Sequence, residues 1–411
     1  MGRTIEFPAA TLTTLSSPEN TPLKAPTRAI LYLGLAAFAT QAMVRATDTL
    51  LPQIAVDLGT TIGAASIVVT AYAASHGTVQ TVVGTLGDRM GKYATVAGAC
   101  ALSSLLVLAC GLAHSLSSLT IARLASGAAA AWIIPLAVTF VGDVVPYASR
   151  QRILGRVLLG QFLGQIFGQS AAGIVGDHFG WRVVFFVLAS LFAVAAVALV
   201  REIVVNPAVL AGRRPDFGWR GIVADYAAVL TNAWARTVLI AGMLAGALMF
   251  GPFAFVAADL HRQFDLSFTL IGIIIAAFAG GGLLYAVLVR QLVEQMGEVG
   301  LALGGGVLLA LAYLTLASET TWLLAPAAVA ATGLGFYMIQ ATLQTHATQM
   351  VPHARGTAVA MFGSAFYLGQ TAGVAIAAPV VDSYGARPVF AAAAVLFPVL
   401  SWWLAWRLRR R

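Results

Sequence analysis

Charged residues are scarce in this sequence. Only 10% of its 411 residues are Asp, Glu, Lys or Arg, whereas 59% are hydrophobic. A water-soluble globule needs a largely polar surface, and a chain of this composition cannot cover one. The scarcity of charge therefore excludes a soluble domain and predicts an integral membrane protein.

Cysteine is also scarce, because Cys100 and Cys110 are the only two and both lie in one apolar run. On a helix, ten residues would separate them by about 15 Å, which is too far for a disulfide bond. Motifs for nucleotide binding, nucleophilic catalysis and redox chemistry are missing as well, and no residues have the spacing of metal ligands. We therefore expect no enzyme, no cofactor and no metal site.

Long apolar runs are what the sequence has in abundance. They continue for about 20 residues, as transmembrane helices do, whereas the strands of a membrane barrel alternate over about 10 residues. The runs lie at residues 29–51, 63–84, 94–113, 118–142, 154–176, 181–200, 237–259, 267–289, 298–317, 322–346, 356–380 and 386–406. The sequence thus predicts an all-α membrane protein with twelve transmembrane helices.

The runs fall into two sets of six, and this predicts four regions. Residues 1–27 are polar and rich in Thr, Ser and Pro, so we expect a disordered cytoplasmic tail without a signal peptide. A six-helix bundle follows at 28–200, and a second bundle with a basic tail lies at 236–411. Between them, residues 201–235 are interpreted as a cytoplasmic linker with an interfacial helix, or alternatively as a plain tether.

The basic residues are distributed unequally between the two predicted sides. With the N-terminus inside, 19 of the 24 lie on the inner side, and only Arg182, Arg262 and Arg387 lie on the opposite side. Because cytoplasmic loops carry an excess of Lys and Arg, both termini are predicted to be cytoplasmic. The net charge of +8 therefore reflects topology, and we expect no binding of nucleic acid.

A duplication is visible within the chain. LGQIFGQSAAGIVGDHFGWRVVF, from Leu163, and LGQTAGVAIAAPVVDSYGARPVF, from Leu368, match at many positions with an offset of 205. This predicts two related bundles in the same membrane orientation. A polar loop at 84–93 also repeats, with an offset of 206, but Glu298 stands in the place of Lys92. We therefore expect a polar latch, that is, a set of charged side chains that holds the two halves together, in the first half only.

That loop, GTLGDRMGKY, resembles the conserved loop G-x-L-x-D-R-x-G-R/K-R/K of the major facilitator superfamily of transporters. It matches at Gly84, Leu86, Asp88, Arg89, Gly91 and Lys92. The resemblance covers nearly the whole chain, and it is closest in style to the 12-span drug:proton antiporters. It implies a secondary transporter in a bacterial inner membrane, working as a monomer by alternating access, with a small-molecule substrate and protons as partners.

The resemblance also assigns this loop the role of a cytoplasmic gate. Asp88 is expected to face the start of the eleventh span near Gly356, where free amides and the helix dipole favour an anion. Arg89 is expected to pair with Asp143 at the end of the fourth span. Such a latch would stabilise the outward-open state. Alternatively, these charges only follow the excess of positive charge on the inner side.

Arg45 and Asp48 lie three residues apart in the first span and therefore share a helical face. A single charge in hydrocarbon is costly, so both should face the bundle interior, where the carboxyl group could carry a proton. Arg123 and Gly127, in the fourth span, resemble the R-x-x-x-G pattern of the family. We predict a proton-sensitive pairing of Arg123 with Asp48, for which Arg45 competes. A self-neutralised pair with a packing role is the alternative.

The fifth span resembles the antiporter pattern G-x8-G-x3-G-P-x2-G-G, although the proline is replaced. Small residues at this spacing allow neighbouring helices to approach closely. The loss of the proline kink weakens the indication of antiport. The residues concerned are Gly155, Gly164, Gly168, Gln169 and Gly173.

Polar and aromatic residues at spanning depth are candidates for the substrate cavity, although each could instead serve ordinary packing. They are Tyr32, His76, Gln80, Trp132, Gln161, Gln165, Phe253, Tyr337 and Gln340. We predict proton-coupled export of small amphipathic compounds, as in multidrug efflux. An importer or exporter of a specific metabolite or siderophore is the alternative, because two buried arginines suit an anionic substrate. A non-transporting membrane sensor is the third possibility.

Overall fold

The computed structural model describes residues 27–210, 219–318 and 321–410, apart from the side chains of 84–90, 147–148, 151 and 219–220. The predicted tail, except for Thr27, lies outside the described residues. Every regular element in the described ranges is a helix, so the prediction of an all-α protein is confirmed.

The α-helices follow one another with short connections. Three 3-10 helices lie at Pro207–Leu210, Trp322–Leu324 and Pro352–Ala354. The α-helices are α1 (Thr27–Asp57), α2 (Ile62–Ala65), α3 (Ile67–Met90), α4 (Lys92–Gly111), α5 (Leu116–Ala130), α6 (Ile133–Val144), α7 (Tyr147–Phe179), α8 (Trp181–Val205), α9 (Trp219–Thr231), α10 (Ala233–Phe253), α11 (Val256–Phe264), α12 (Phe268–Ala317), α13 (Ala325–Gln349), α14 (Arg355–Tyr384) and α15 (Arg387–Arg409). We call α1–α8 the first half and α10–α15 the second half.

Ten helical stretches in the described residues are long and apolar enough to cross a membrane. One of them is α12, which has 50 residues. At 1.5 Å per residue an unbroken helix of this length would reach about 75 Å, more than twice the thickness of a hydrocarbon core. Gly297 interrupts it with the non-helical angles φ 60 and ψ −178. The helix α7, with 33 residues, is not among the ten.

Helix ends follow from local sequence. Ser115 starts α5 with a capping box, in which its hydroxyl accepts a hydrogen bond from the amide of Ser118. Asn232 caps α10 by accepting from two backbone amides. Gly180 ends α7 with a φ of 82, and Gly385 ends α14 with a φ of 80. These two glycines lie 205 residues apart, so the same left-handed turn occurs twice at the predicted offset.

Small residues allow α7 to pack directly on α1. A Cβ atom at Gly164 would overlap the backbone of Phe38, and one at Gly168 would overlap the backbone of Ala42. Without side chains at these positions the two backbones come into contact, which is how helices associate closely in lipid.

The second half repeats this contact between α10 and α14. A Cβ atom at Gly369 would overlap the backbone of Met243, and one at Gly373 would overlap the backbone of Ala247. These pairs lie 205 residues from those in α7 and α1. The duplication seen in the sequence is therefore also a duplication of helix packing.

The ends of the helices form two opposite faces. At one of them Asp382, at the end of α14, contacts Thr61, and Asp57, at the end of α1, contacts Arg182. We call this the Asp382 face. At the other, Lys92 at the start of α4 meets Asp143 at the end of α6, and we call it the Lys92 face.

Candidate functional site

An ion pair lies in the middle of α1. Arg45 and Asp48 are only 5% and 1% exposed, and Nη1 of Arg45 lies 3.3 Å from Oδ2 of Asp48. The three-residue spacing places both side chains on one helical face, as the sequence predicts. The pair neutralises two charges that would each be costly in an apolar bundle.

The guanidinium of Arg45 also reaches the second half. Its Nη2 donates a hydrogen bond to Oε1 of Gln370 on α14, at 3.2 Å. Its Cζ lies 3.6 Å above the ring centroid of Phe250 on α10, a cation–π geometry. Arg45 and Phe250 are 205 residues apart and thus equivalent in the repeat. A cation in one half therefore meets an aromatic ring at the equivalent position of the other.

Arg123 is fully buried but has different partners. Its Nε donates to the carbonyl oxygen of Val68 at 3.0 Å, and its Cζ lies 4.3 Å from the ring centroid of Tyr72. The ion pair of Asp48 in this structure is therefore the one with Arg45, which the sequence left as the competitor of Arg123. The reason is proximity on one helix, since Arg123 is held on α3 by a carbonyl group and a ring.

Several buried polar atoms of the central region have no hydrogen-bond partner among the described residues. Gln165 and Gln169 on α7 are 4% and 0% exposed, and the Nε2 atom of each is unpartnered. An unsatisfied buried polar group is costly, so such atoms indicate places where a ligand, a proton or water can bind. Oε1 of Gln169 and Oδ1 of Asp48 are also unpartnered. Among the other predicted cavity residues, the same holds for Nδ1 of His76, Oε1 of Gln80 and Oε1 of Gln340.

The second half contributes a group of aromatic rings, which we call the aromatic cluster. It joins α10, α12, α13 and α14, with ring centroids of neighbours 4.9 to 6.2 Å apart. Its members are Phe250, Phe253, Phe278, Phe336, Tyr337 and Phe366. Phe253 and Tyr337 were predicted from the sequence. The other phenylalanines were missed because a phenylalanine in an apolar helix is indistinguishable from core packing.

Four other predicted cavity residues lie in three kinds of place. His76 lies between the halves, with its ring centroid 4.3 Å from that of Tyr367 on α14. Gln161 accepts a hydrogen bond from Gln41 on α1 at 3.3 Å, so it joins two helices of the first half. Tyr32 and Trp132 are half-buried and pack against the apolar core.

The glycines predicted for the fifth span divide by position along α7. Gly164 and Gly168 face α1, whereas a Cβ atom at Gly173 would overlap the backbone of Phe268 on α12, in the other half. Gly155 faces open space, since no atom lies within 4 Å of the position that a Cβ atom would take there. Gln169, in the place of the family's proline, continues the helix without a break.

The predicted gate lies at the Lys92 face. The side chains of Gly84, Leu86, Asp88 and Arg89 lie outside the described residues. Gly91 has a φ of 85 and separates α3 from α4. Lys92 forms an ion pair with Asp143, so the acid at the end of the fourth span does have a basic partner from this loop. Gly356 is exposed near the start of α14.

The second half has a comparable contact between two polar side chains. Oε2 of Glu298, which follows the break in α12, lies 3.0 Å from Nε2 of His346 near the end of α13. Glu298 and Lys92 are 206 residues apart. Both halves therefore join these two helix ends through polar side chains. The expectation of a polar latch in the first half only also involves Asp88 and Arg89, whose side chains lie outside the described residues, and it stays a prediction.

The linker contains a helix, α9, that contacts both halves. The hydroxyl of Tyr226 donates a hydrogen bond to the carbonyl oxygen of Thr81 on α3. Nδ2 of Asn232, just after α9, donates to the carbonyl oxygen of Met350 at 3.3 Å. The described part of the linker thus contains a helix, and its location at the membrane interface stays a prediction.

The chain is similar in sequence and in structure to known transporters and resistance proteins. The profile of the Major Facilitator Superfamily matches residues 33–374. Multidrug resistance protein 2 of Bacillus subtilis is 23% identical over 359 residues, which are 86% of this chain and 88% of that protein. A chloramphenicol resistance protein of Streptomyces lividans is 25% identical over 269 residues, 63% of this chain and 65% of that protein. The crystal structure of the nucleoside transporter NupG superposes with a TM-score of 0.71 at 15% identity, covering 91% of this chain and 97% of that one.

Proposed function

The chain belongs to the Major Facilitator Superfamily, and from this premise we propose that it exports small amphipathic compounds in exchange for protons by alternating access. The observation that carries the proposal is the buried pair of Arg45 and Asp48. It is a titratable group in the first half whose partner also contacts the second half. A change of charge there can therefore alter how the two halves meet.

The proposed coupling begins with a proton on Asp48. Its Oδ1 has no hydrogen-bond partner among the described residues and is available to a proton. Protonation removes the negative charge opposite Arg45. The guanidinium then interacts more favourably with other acceptors than with Asp48. Its contacts with Gln370 and Phe250 then change in strength, and this biases the equilibrium between conformations. If the substrate binds one of these conformations more tightly, its binding is thereby coupled to the binding of the proton.

The proposed substrate class follows from the lining of the same region. The aromatic cluster offers flat apolar surfaces, and the unpartnered amides of Gln165 and Gln169 offer donors and an acceptor. A compound with an aromatic or apolar part and a few hydrogen-bonding groups would satisfy both. The relatives named for chloramphenicol and multidrug resistance support this class.

The architecture belongs to the proposal as well. We place twelve spans in two six-helix bundles at 28–200 and 236–411, with α7 as one span and α12 as two, divided at Gly297. From the excess of positive charge we infer that the Lys92 face and both termini lie in the cytoplasm. The chain would work as a monomer in a bacterial inner membrane.

A second candidate is the transport of a specific anionic metabolite or siderophore. The observation in its favour is the charge buried in α1 and α5: among the described residues of these helices, the guanidiniums of Arg45 and Arg123 are buried together with one carboxylate, that of Asp48. An anionic substrate would compensate the excess positive charge. The non-transporting sensor remains the third possibility and predicts no flux of any compound.

Reconstitution in liposomes with an imposed pH gradient tests the proposal. Chloramphenicol, the cationic dye ethidium and an anionic siderophore are added in turn, and proton release is followed with an internal pH dye. We expect chloramphenicol or ethidium to release protons. Asp48→Asn should reduce this release at least tenfold, because the neutral amide cannot bind or lose a proton. Asp57→Asn is the matched control, since this exposed carboxylate pairs with Arg182 at the Asp382 face, and it should leave release unchanged.

Three results would contradict parts of this proposal. Equal proton release by Asp48→Asn and the unaltered protein would refute the role of Asp48. Release only with the siderophore would favour the second candidate. No flux with any of the compounds, in protein that is correctly folded, would favour the sensor.

A further inference from the structure

Asp382 joins the two halves at the Asp382 face. Its Oδ2 accepts a hydrogen bond from Oγ1 of Thr61 at 2.7 Å, and its Oδ1 accepts one from the backbone amide of Gly63, also at 2.7 Å. The carboxylate belongs to the end of α14, whereas both donors belong to the start of α2. One side chain of the second half therefore holds the end of a helix in the first half.

Asp177 makes the reciprocal contact. It lies near the end of α7 in the first half, and its Oδ2 accepts hydrogen bonds from Thr269 at the start of α12. The hydroxyl Oγ1 donates at 2.7 Å and the backbone amide at 3.2 Å. The donors are again one hydroxyl and one backbone amide at a helix start in the opposite half.

The two contacts are equivalent in the repeat. Asp177 and Asp382 are 205 residues apart, and the amides that they accept from, at Gly63 and Thr269, are 206 apart. The same arrangement therefore occurs on both sides of the pseudo-twofold axis relating the halves. A chance contact between two helix ends would not be expected to recur at the equivalent place, with the same residue type as acceptor.

The backbones are in contact beside each carboxylate. A Cβ atom at Gly63 would overlap the backbone of Ala378 on α14, and one at Gly173 would overlap the backbone of Phe268 on α12. The helices are therefore in direct contact at both positions. The Asp382 face is thus closed where the two carboxylates bind, and hydrogen bonds to a charged acceptor are stronger than those between neutral groups.

We propose that Asp177 and Asp382 form a symmetric latch that holds the Asp382 face closed and that must break for the transporter to open there. The latch adds a second gate to the predicted gate at the Lys92 face, with its own residues and at the opposite end of the bundle. It rests on the proposed function only in that alternating access requires this face to open.

Distance measurements between spin labels test the latch without any substrate. The full chain, with Cys100→Ala and Cys110→Ala, carries Leu112→Cys in the first half and Leu323→Cys in the second, two exposed positions at the Asp382 face. Double electron–electron resonance in nanodiscs then measures the distance between the two spin labels. The ratio of long to short distances is the ratio of open to closed molecules. We expect Asp177→Ala and Asp382→Ala each to raise this ratio about tenfold, because each removes two charge-assisted hydrogen bonds. The double variant should raise it about a hundredfold if the contacts act independently.

Asp57→Ala is the matched control. It removes a carboxylate from the same face, but Asp57 accepts from Trp181 and Arg182 of its own half, at 3.1 and 2.6 Å. We expect the ratio of open to closed molecules in Asp57→Ala to equal that in the spin-labelled protein with Asp57 unchanged. Thr61→Val and Thr269→Val, which remove one donor each and keep the carboxylates, should shift the ratio in the same direction by a smaller factor.

An unchanged ratio in the Asp177 and Asp382 variants, or a change no larger than that in Asp57→Ala, would overturn the latch. Circular dichroism and gel filtration identify variants that do not fold, and the threonine variants then serve in their place. The test is independent of transport. If the ratio shifts but no compound moves protons, the latch stands and the proposed function fails. If protons move and the ratio does not shift, the proposed function stands and the latch fails.

Discussion

Arg45 shows how a single charged residue is accommodated inside an apolar bundle. Its charge is balanced by Asp48, one of its donors is accepted by Gln370, and the face of its guanidinium lies on Phe250. Each of these contacts compensates a different part of the cost of removing a guanidinium from water. Because two of the three partners belong to the second half, this residue connects the halves as well as the charges.

Arg123 should matter for stability rather than for proton coupling. We expect Arg123→Ala to reduce the free energy of unfolding by about 2–4 kcal/mol, because it removes a charged hydrogen bond to Val68 and a buried cation–π contact with Tyr72. The measurement is unfolding by denaturant in detergent micelles.

Tyr72→Phe is the control for this prediction. It keeps the ring under the guanidinium and removes a hydroxyl that has no hydrogen-bond partner among the described residues, so unfolding should change by less than about 0.5 kcal/mol. If Arg123→Ala were as stable as the parent and instead abolished proton release, Arg123 would be a coupling residue after all.

At the scale of the helices, glycine spacing decides how closely α7 approaches α1. Gly168→Ala should destabilise the protein by about 1–3 kcal/mol, because the new methyl group overlaps the backbone of Ala42 and the helices must separate. The melting temperature in detergent should fall accordingly.

The same substitution at Gly155 provides a matched control on the same helix. Gly155 is exposed and has nothing within 4 Å of its Cβ position, so Gly155→Ala should be neutral or should stabilise by up to about 1 kcal/mol through helix propensity. Equal melting temperatures for the two variants would show that the contact between α7 and α1 is not tight.

Helix ends also show what a comparison between the two repeats does not reveal. Glu298 in the place of Lys92 looked like the loss of a basic residue and thus of a latch. In the structure its carboxylate contacts the imidazole of His346, so a polar contact between these two helix ends is kept. A comparison of residue types between repeats misses this, because His346 lies 203 residues after Asp143 and does not occupy the equivalent position.

For the whole molecule, the path of α12 decides the number of spans. If α12 crosses the membrane twice, then Ser267 and Ser318, which flank it, lie on the same outer side, and Arg290 lies in the cytoplasm. Single cysteines at these positions, in the chain without Cys100 and Cys110, can be tested in intact cells with an impermeant maleimide. We expect Ser267→Cys and Ser318→Cys to be labelled.

Arg290→Cys is the counterpart within the same helix, since the Arg290 side chain is exposed. It should be labelled only after the cells are made permeable. Labelling of Ser267→Cys and Ser318→Cys from opposite sides would reject the twelve-span topology. Labelling of Arg290→Cys alone in intact cells would reverse the proposed orientation.

The membrane class, the helical fold, the duplication and the location of Arg45 and Asp48 on one helical face could all be predicted from the order of the residues. These properties depend on amino-acid composition, on the length and repetition of the apolar runs, and on the spacing of residues along one helix. Each of them can be read from short stretches of the chain. The pairing of Asp48 with Arg45 rather than Arg123, and the contacts of Asp177 and Asp382 between the halves, became visible only in the folded chain. Those contacts depend on which helix ends and side chains meet across long sequence separations, and a difference of a few ångströms selects one partner over another.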